Sequence, residues 1–400
     1  MAVGRVAGVQ LHDVSSPPTV DEVTLLDTDV ALDGLQFEWD ELLRDSSQAN
    51  FFLRWHWNRT WWKTYAPSRS RLFLVVCRDE RNRLVGLAPF YLGTRRYLGL
   101  LAIREVKFLG TGINLKTSEF LDVISRHGYE AVVGEAVAAF LRRTPGWDRL
   151  WLWHIPTAST VFRHLRVGLG ARARATACDR APFLEIHEGW DATRAGFGQN
   201  LRTNIDRLIR QAFRGTDCRF TYVVTMQELD AAMDDLVRLH RARWQVTGQQ
   251  GSFAIPHFEA FLREVARHSL AAARLRLWRL TLSGQCVASL LAFVDFGTAH
   301  YFQSGFDPAS PYKLGRILIG LSIRDCVQSA DIRTFDFMGG GAPYKGSWAK
   351  NGRDTSELEL LRPTAGAALY GMARKVKAWR RNHMGRSFRS RRRRQPSAQL

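Results

Sequence analysis

The stretch from Arg274 to Trp348 constrains the fold more than any other part of this chain. Leu275 to Leu282 and Cys286 to Val294 run apolar on either side of Ser283-Gly284, which reads as a hairpin, and His300 to Ser304 follows closely as a third strand. A loop from Gly305 to Arg316 then leads into a helical pattern from about Ile317 to Ser329, and Ile332 to Phe337 reads as a buried strand. Strand, strand, strand, loop, helix, strand is the order of a mixed, mainly antiparallel sheet with a helix across it, so the fold class is α/β (α+β).

The first half repeats this order loosely. Phe51 to Tyr65 carries Trp55, Trp57, Trp61 and Trp62 at helical spacing, Leu72 to Cys77 and Leu84 to Tyr91 form a hairpin around Asp79-Glu80-Arg81-Asn82, and short strands follow at Val106 to Leu109 and Trp151 to Trp153, separated by a helix near Tyr129 to Arg142. Between the halves, Leu201, Ile205 and Leu208 mark one apolar face of an arginine-rich helix. In the second half, helices at Met226 to Gln245 and His257 to His268 precede the hairpin. Residues 1–46 form a weakly patterned leader, 47–188 a first domain, 189–215 a basic connector, 216–362 a second domain and 363–400 a basic tail.

Charge is unevenly spread over the 400 residues. Eleven basic residues lie from Arg374 to Arg394, and nothing acidic follows Glu359, so the formal +19 falls to +8 once the tail is set aside. The five cysteines are scattered, with no Cys-x-x-Cys pair, which argues against a disulfide framework and a zinc site. Met1 to Val14 has no continuous apolar core of signal-peptide length and no run of about 18 apolar residues occurs, so neither a signal peptide nor a membrane span is expected. A reducing cytoplasm is the expected compartment.

The helix approached through Lys313-Leu314-Gly315-Arg316 offers backbone N–H groups, a positive dipole end and two cations, a combination suited to a pyrophosphate; a plain junction with solvated cations is the alternative. Tyr344 follows a glycine run, Gly339-Gly340-Gly341, and is a candidate general acid or a ring packed on the sheet. Asp336, between Phe335 and Phe337, is either a desolvated base or one member of a buried ion pair with Lys345 or an arginine. His240 is a candidate base and Arg243 a candidate for holding a carboxylate or phosphate on the acceptor, with Trp244 as platform or core; the alternative is a histidine and an arginine that answer the C-terminal dipole of their helix.

Four separated segments carry a family resemblance: Trp190 to Arg214; His240-Arg241-Ala242-Arg243-Trp244 with Gly251-Ser252-Phe253; Tyr301 to Pro308; and Phe335-Asp336-Phe337-Met338-Gly339-Gly340-Gly341-Ala342-Pro343-Tyr344-Lys345-Gly346-Ser347-Trp348. Over roughly residues 48 to 362 the chain resembles the CelD-like acyltransferases of the GNAT superfamily, associated with cellulose and exopolysaccharide biosynthesis. The resemblance implies a tandem GNAT-like architecture related to the FemABX proteins, with two mixed sheets. It also implies acetyl-CoA or another acyl-CoA as donor, without a metal, and a small-molecule amine as acceptor. Lys313, Leu314, Gly315 and Arg316 would then bind the donor, as would the backbone at Gln303 and Ser304, where the third strand must splay from its neighbour. Tyr344, Asp336 and His240 would be catalytic, and Arg243, Trp244 and Lys345 would face the acceptor. The sequence departs from relatives at Tyr312-Lys313-Leu314-Gly315-Arg316, which lacks the Ser-Pro that often precedes the glycine. Two other readings stand beside this one: a FemABX-like transferase using aminoacyl-tRNA, and a non-catalytic module of a polysaccharide-synthesis complex.

In the tail, Leu369, Met372, Val376 and Trp379 fall on one face with Arg374, Lys375, Lys377, Arg380 and Arg381 between them. This is a basic amphipathic helix, expected to lie on an anionic membrane surface at the inner face or to pack on the body; nucleic acid is disfavoured outside the tRNA alternative.

Overall fold

The structure, a computed structural model, describes residues 18–97, 101–112, 118–214 and 217–376. In chain order the first half contains β1 (Glu22–Leu26), α1 (Asp29–Gly34), α2 (Gln36–Arg44), α3 (Trp55–Tyr65), β2 (Arg71–Arg78), β3 (Leu84–Tyr97), β4 (Leu101–Phe108), β5 (Ile124–Ser125), α4 (Glu130–Arg143), β6 (Arg149–Pro156), α5 (Thr160–Leu169) and β7 (Arg174–Glu185). The second contains α6 (Trp190–Arg194), α7 (Gln199–Phe213), β8 (Cys218–Tyr222), α8 (Met226–Val246), α9 (Phe258–Ala271), β9 (Leu275–Leu282), β10 (Gln285–Asp295), β11 (Thr298–Phe306), α10 (Leu314–Gln328), β12 (Thr334–Asp336), α11 (Lys345–Trp348) and β13 (Asn351–Leu361). Residues 365–376 are also helical.

The two halves repeat one plan. In each, three antiparallel strands (β2–β3–β4 and β9–β10–β11) are followed by a helix and by a strand parallel to the third, β6 beside β4 and β12 beside β11. The final strands are exchanged: β7, which ends the first half, pairs with β12, and β13, which ends the second, pairs with β6. Because β7 and β13 also pair with each other, the two expected sheets join into one mixed sheet in the order β1-β2-β3-β4-β6-β13-β7-β12-β11-β10-β9-β8.

Side chains reinforce this junction. Phe51, just before α3, stacks on Phe293 of β10 with ring centroids 4.2 Å apart, and the buried Arg54 makes a two-pronged pair with Asp295 at 2.7 and 3.0 Å. Nε and Nη2 keep hydrogen bonds to Asp295 and Nη1 lies 3.3 Å from Asp40, so the buried charge is paired on both sides. Three of the four tryptophans of α3 are core, Trp57 and Trp61 fully buried and Trp62 nearly so, while Trp55 is partly buried against it.

The segment to Ser46 departs from the expected leader. Residues 22–44 form β1 and two helices, and Leu32, Leu35, Trp39 and Leu42 line up as a buried stripe beneath the acidic residues that dominate the sequence there. Trp39 donates its indole N–H to the Leu53 carbonyl at 2.7 Å. The helix after the Lys313 loop also begins three residues earlier than expected, at Leu314, so Leu314, Gly315 and Arg316 form its first turn.

Candidate functional site

A wedge opens in the sheet of the second half. β11 and β12 are paired only from Thr298–His300 to Thr334–Asp336; β11 then continues to Phe306, while the chain beyond β12 turns away at Met338, whose φ is +63°. Within β11 the register against β10 slips by one residue, Gln303 facing Leu291 and Tyr301 facing Ala292, so Phe302 is an inserted bulge residue. The wedge opens into a cavity of about 370 Å³.

Part of the cavity wall suits an anion. It is lined by Lys313, Leu314, Gly315 and Arg316, the cap and first turn of α10, where no side chain caps the helix and no acidic residue is present. The N-terminal partial charge of the helix is therefore open to a ligand and supplemented by two cations. Gly315 is needed for packing, since a Cβ there would lie 3.0 Å from the Phe306 ring. Asp307 accepts from the Ala309 N–H at 2.9 Å and shapes the turn that delivers the chain to this point.

The same cavity is also lined by the hydroxyls of Tyr301, Ser304 and Tyr344. Tyr344 neighbours Tyr301, and the Tyr301 and Ser304 hydroxyls are 2.5 Å apart. Arg243 Nη1 donates to Ser304 Oγ at 3.2 Å, and its guanidinium lies 5.0 Å from the Phe306 ring centroid. Burial, followed by the neighbouring Tyr301, raises the Tyr344 pKa well above the usual phenol value, so this side chain keeps its proton through neutral and moderately alkaline pH.

Seven of the residues singled out from sequence, Arg243, Ser304, Lys313, Leu314, Gly315, Arg316 and Tyr344, thus line one cavity. His240, Trp244, Gln303, Asp336 and Lys345 are not among its lining residues. His240 is buried between α8 and β11, and its Nε2 accepts from Trp244 Nε1 at 3.0 Å. Burial, then the Arg243 charge, pushes its pKa down to about 4, so the ring is neutral at physiological pH. A Cβ at Gly251 would strike the His240 and Trp244 rings, and one at Gly305 would strike the His240 backbone, which gives a packing reason for both glycines. Gln303 Nε2 donates to Ser252 Oγ at 3.3 Å.

Asp336 is fully buried, with Oδ1 accepting from the Met338 N–H at 2.7 Å and Oδ2 paired with Arg353 Nη1 at 3.0 Å. Burial lifts its pKa to about 6 in spite of Arg353. Lys345 donates to the carbonyls of Met338, at 2.9 Å, and of Gly339. Sequence reasoning gave no role to Tyr301, Arg353 or Glu119. Tyr301 was within reach of it, two positions before Gln303 in a recognisable motif, whereas Arg353 and Glu119 belong to other elements and come near only through the fold.

Residues 199–346 match the family described as Acetyltransferase (GNAT) domain. No curated protein matches the chain in sequence. Among solved structures the chain is similar to FemX, with a TM-score of 0.58 and 10% identity over 84% of this chain and 98% of that one. It is also similar to the C-terminal DUF2156 domain of an Agrobacterium fabrum protein, at TM-score 0.51 and 14% identity over 86% of this chain and 97% of that one. A conserved protein of unknown function from Bacteroides thetaiotaomicron gives TM-score 0.51 and 12% identity over 84% of this chain and all 100% of that one. Those likenesses concern the fold, while the family match covers the wedge, the α10 turn and the loop to Tyr344: residues 199–346 carry a GNAT acetyltransferase domain, which supports an acyltransferase.

Proposed function

We propose that the second-half wedge takes an acyl-CoA, acetyl-CoA being the simplest donor, and passes its acyl group to the amine of a small acceptor. The observation that carries this reading is the pairing, in one cavity, of an uncapped basic helix terminus with the phenol of Tyr344. Lys313, Arg316 and the α10 N–H groups hold the pyrophosphate, and the edge of β11 beyond His300, free of β12, offers backbone N–H groups to the thioester oxygen. When the amine attacks, the C–N bond forms and the C–S bond breaks; Tyr344 gives its proton to the departing thiolate and is resupplied through Tyr301 and Ser304. The ammonium proton leaves to solvent. Much of the acceleration comes from holding the two reactants in line.

Arg243 reaches the Ser304 hydroxyl in the cavity and makes no ion pair among the described residues, which favours an acceptor bearing a carboxylate or phosphate. The CelD-like motifs support an amino group on a sugar or amino acid, in exopolysaccharide synthesis. A thiol-release assay with acetyl-CoA over a panel of such amines, paired with calorimetry of CoA binding, tests the reading. Absence of CoA binding ends it, and stabilisation by charged tRNA instead of acyl-CoA would replace the donor.

We also infer a peripheral membrane location. Among the described residues no helix is long and apolar enough to cross a membrane. The helix at 365–376 buries Ala367 and Tyr370 against the body and ties Arg374 to Glu359, while Leu369, Met372 and Val376 remain about half exposed on its outer side. The sequence beyond it, from Lys377 to Arg394, is basic without a carboxylate, and Trp379 lies outside the described residues. An apolar stripe beside cations suits an anionic bilayer at the cytoplasmic face.

A further inference from the structure

Three non-glycine residues with left-handed backbone meet where the halves join: Phe120 (φ +55°), His154 (φ +63°) and Met338 (φ +63°). The Phe120 N–H points to His154 Nδ1 at 3.4 Å, and the two rings are 5.7 Å apart. Gly339 follows Met338, and a Cβ on it would lie 3.0 Å from both His154 Nε2 and Glu119 Oε1. Such backbone conformations are costly for large side chains, and they persist where the surroundings over-determine them for a purpose.

The purpose is legible in the hydrogen bonds of the loop that starts at Met338. Asp336 accepts the Met338 N–H, Glu119 accepts the Gly339 N–H, and Lys345 reaches back to the carbonyls of Met338 and Gly339. Three of the four groups that define this turn are thus bound by its own flanks, and the fourth by a carboxylate from the other half of the protein. Glu119 is itself framed: Trp57 Nε1 donates to Ser118 Oγ at 2.8 Å, and Asn50 Nδ2 donates to the Phe120 carbonyl at 2.9 Å. Three consecutive glycines lose more freedom on ordering than any other tripeptide, so the loop needs such an anchor if Tyr344, three residues beyond Gly341, is to face Tyr301.

We infer that Glu119 is a positioning residue of the acyl-transfer site: the first half completes the second-half site by holding the Gly339 N–H and with it the loop that carries Tyr344 and Lys345. The proposal rests on the transfer reading above for its consequence in turnover, but not for the anchoring itself. Glu119→Gln keeps an oxygen acceptor for the Gly339 N–H, whereas Glu119→Ala removes it. Gly339→Ala leaves the charge in place and pushes it off the loop.

In full-length protein, Glu119→Ala is expected to lower kcat about ten- to a hundredfold while the Kd of CoA stays within about twofold, because a displaced acid affects the chemical step more than donor binding. Amide hydrogen exchange of residues 338–345 should accelerate about tenfold in the same variant. Gly339→Ala should reproduce both effects, and Glu119→Gln should restore kcat and exchange to within about threefold of the parent. Parent-like exchange over 338–345 in Glu119→Ala overturns the inference, as does a Gln variant as impaired as the Ala variant. Should Glu119→Ala not fold, parent-like exchange in Gly339→Ala overturns it equally. A parent protein that binds no CoA ends the transfer reading alone, and the exchange comparison still decides the anchor.

Discussion

The hydroxyls of Tyr301 and Ser304 lie 2.5 Å apart although the two residues are three positions apart on one strand, where strict alternation would turn them to opposite faces. The bulge at Phe302 brings them to the same side, where Ser304 accepts from Arg243 and Tyr301 neighbours Tyr344. The same slip turns Gln303 away from the cavity toward Ser252.

If this chain of hydroxyls supplies the proton for the thiolate, Tyr344→Phe should reduce kcat about a hundredfold with little change in the KM of the acyl-CoA. The phenol pKa is raised, so in the parent kcat should show no alkaline fall up to about pH 10, the ordinary phenol value. Steady-state thiol release over a pH series measures both. A Phe variant with parent kcat would remove Tyr344 from the proton path.

The helix terminus gives a separable prediction. Lys313→Gln with Arg316→Gln should raise the Kd of CoA by about tenfold or more while leaving kcat at saturation within a few fold, since both cations line the cavity at the α10 terminus where the pyrophosphate is proposed to bind. Parent CoA binding should itself weaken as salt is raised, and the double variant should be less salt-sensitive. Calorimetric titrations at two ionic strengths distinguish these outcomes.

How much of this was legible in the sequence varies with the physics involved. The hairpin of β9 and β10 could be read because alternation and Ser283-Gly284 are local signals, and the apolar positions of α7 follow a helical period. The wedge could not, because it depends on where β12 stops pairing, three residues in, and not on composition. The exchange of β7 and β13 was invisible for a similar reason: β7 is largely exposed along its first half and lacks a clear alternation. Asp336 was open between base and ion pair until Arg353, 17 positions away, could be seen beside it. Gly251 and Gly305 belonged to recognisable segments, but only the packing of α8 on β11 explains why neither tolerates a Cβ.

Acid stability should reflect the buried histidines. Burial lowers His240 to about 4 and His300 to about 3, against 6.5 for a free ring, so between these values the unfolded chain binds more protons than the native one. Stability contributed by keeping the rings neutral is full above about pH 6.5 and is lost as pH falls toward 4. Both nitrogens of His300 lack a hydrogen-bond partner among the described residues. His300→Leu should therefore be neutral or stabilising at pH 7.5, and should make the loss of Tm between pH 6.5 and 4 shallower than in the parent. An acid limb unchanged in this variant would mean that His300 does not contribute to it.

Membrane attachment can be separated from folding because the helix at 365–376 uses two faces. Ala367 and Tyr370 pack on the body and Arg374 holds Glu359, so truncating the chain before this helix would disturb the fold as well as any membrane contact. Replacing Leu369, Met372 and Val376 together by Gln touches only the outer stripe. Flotation of the full chain with vesicles containing anionic lipid should be strong, weak with purely zwitterionic vesicles, and reduced about tenfold or more by the triple Gln change, at about 0.8 kcal/mol for each buried CH₂ lost. Unchanged flotation of the triple variant would assign any attachment to the basic segment alone, and equal flotation on both kinds of vesicle would remove the part played by its charge.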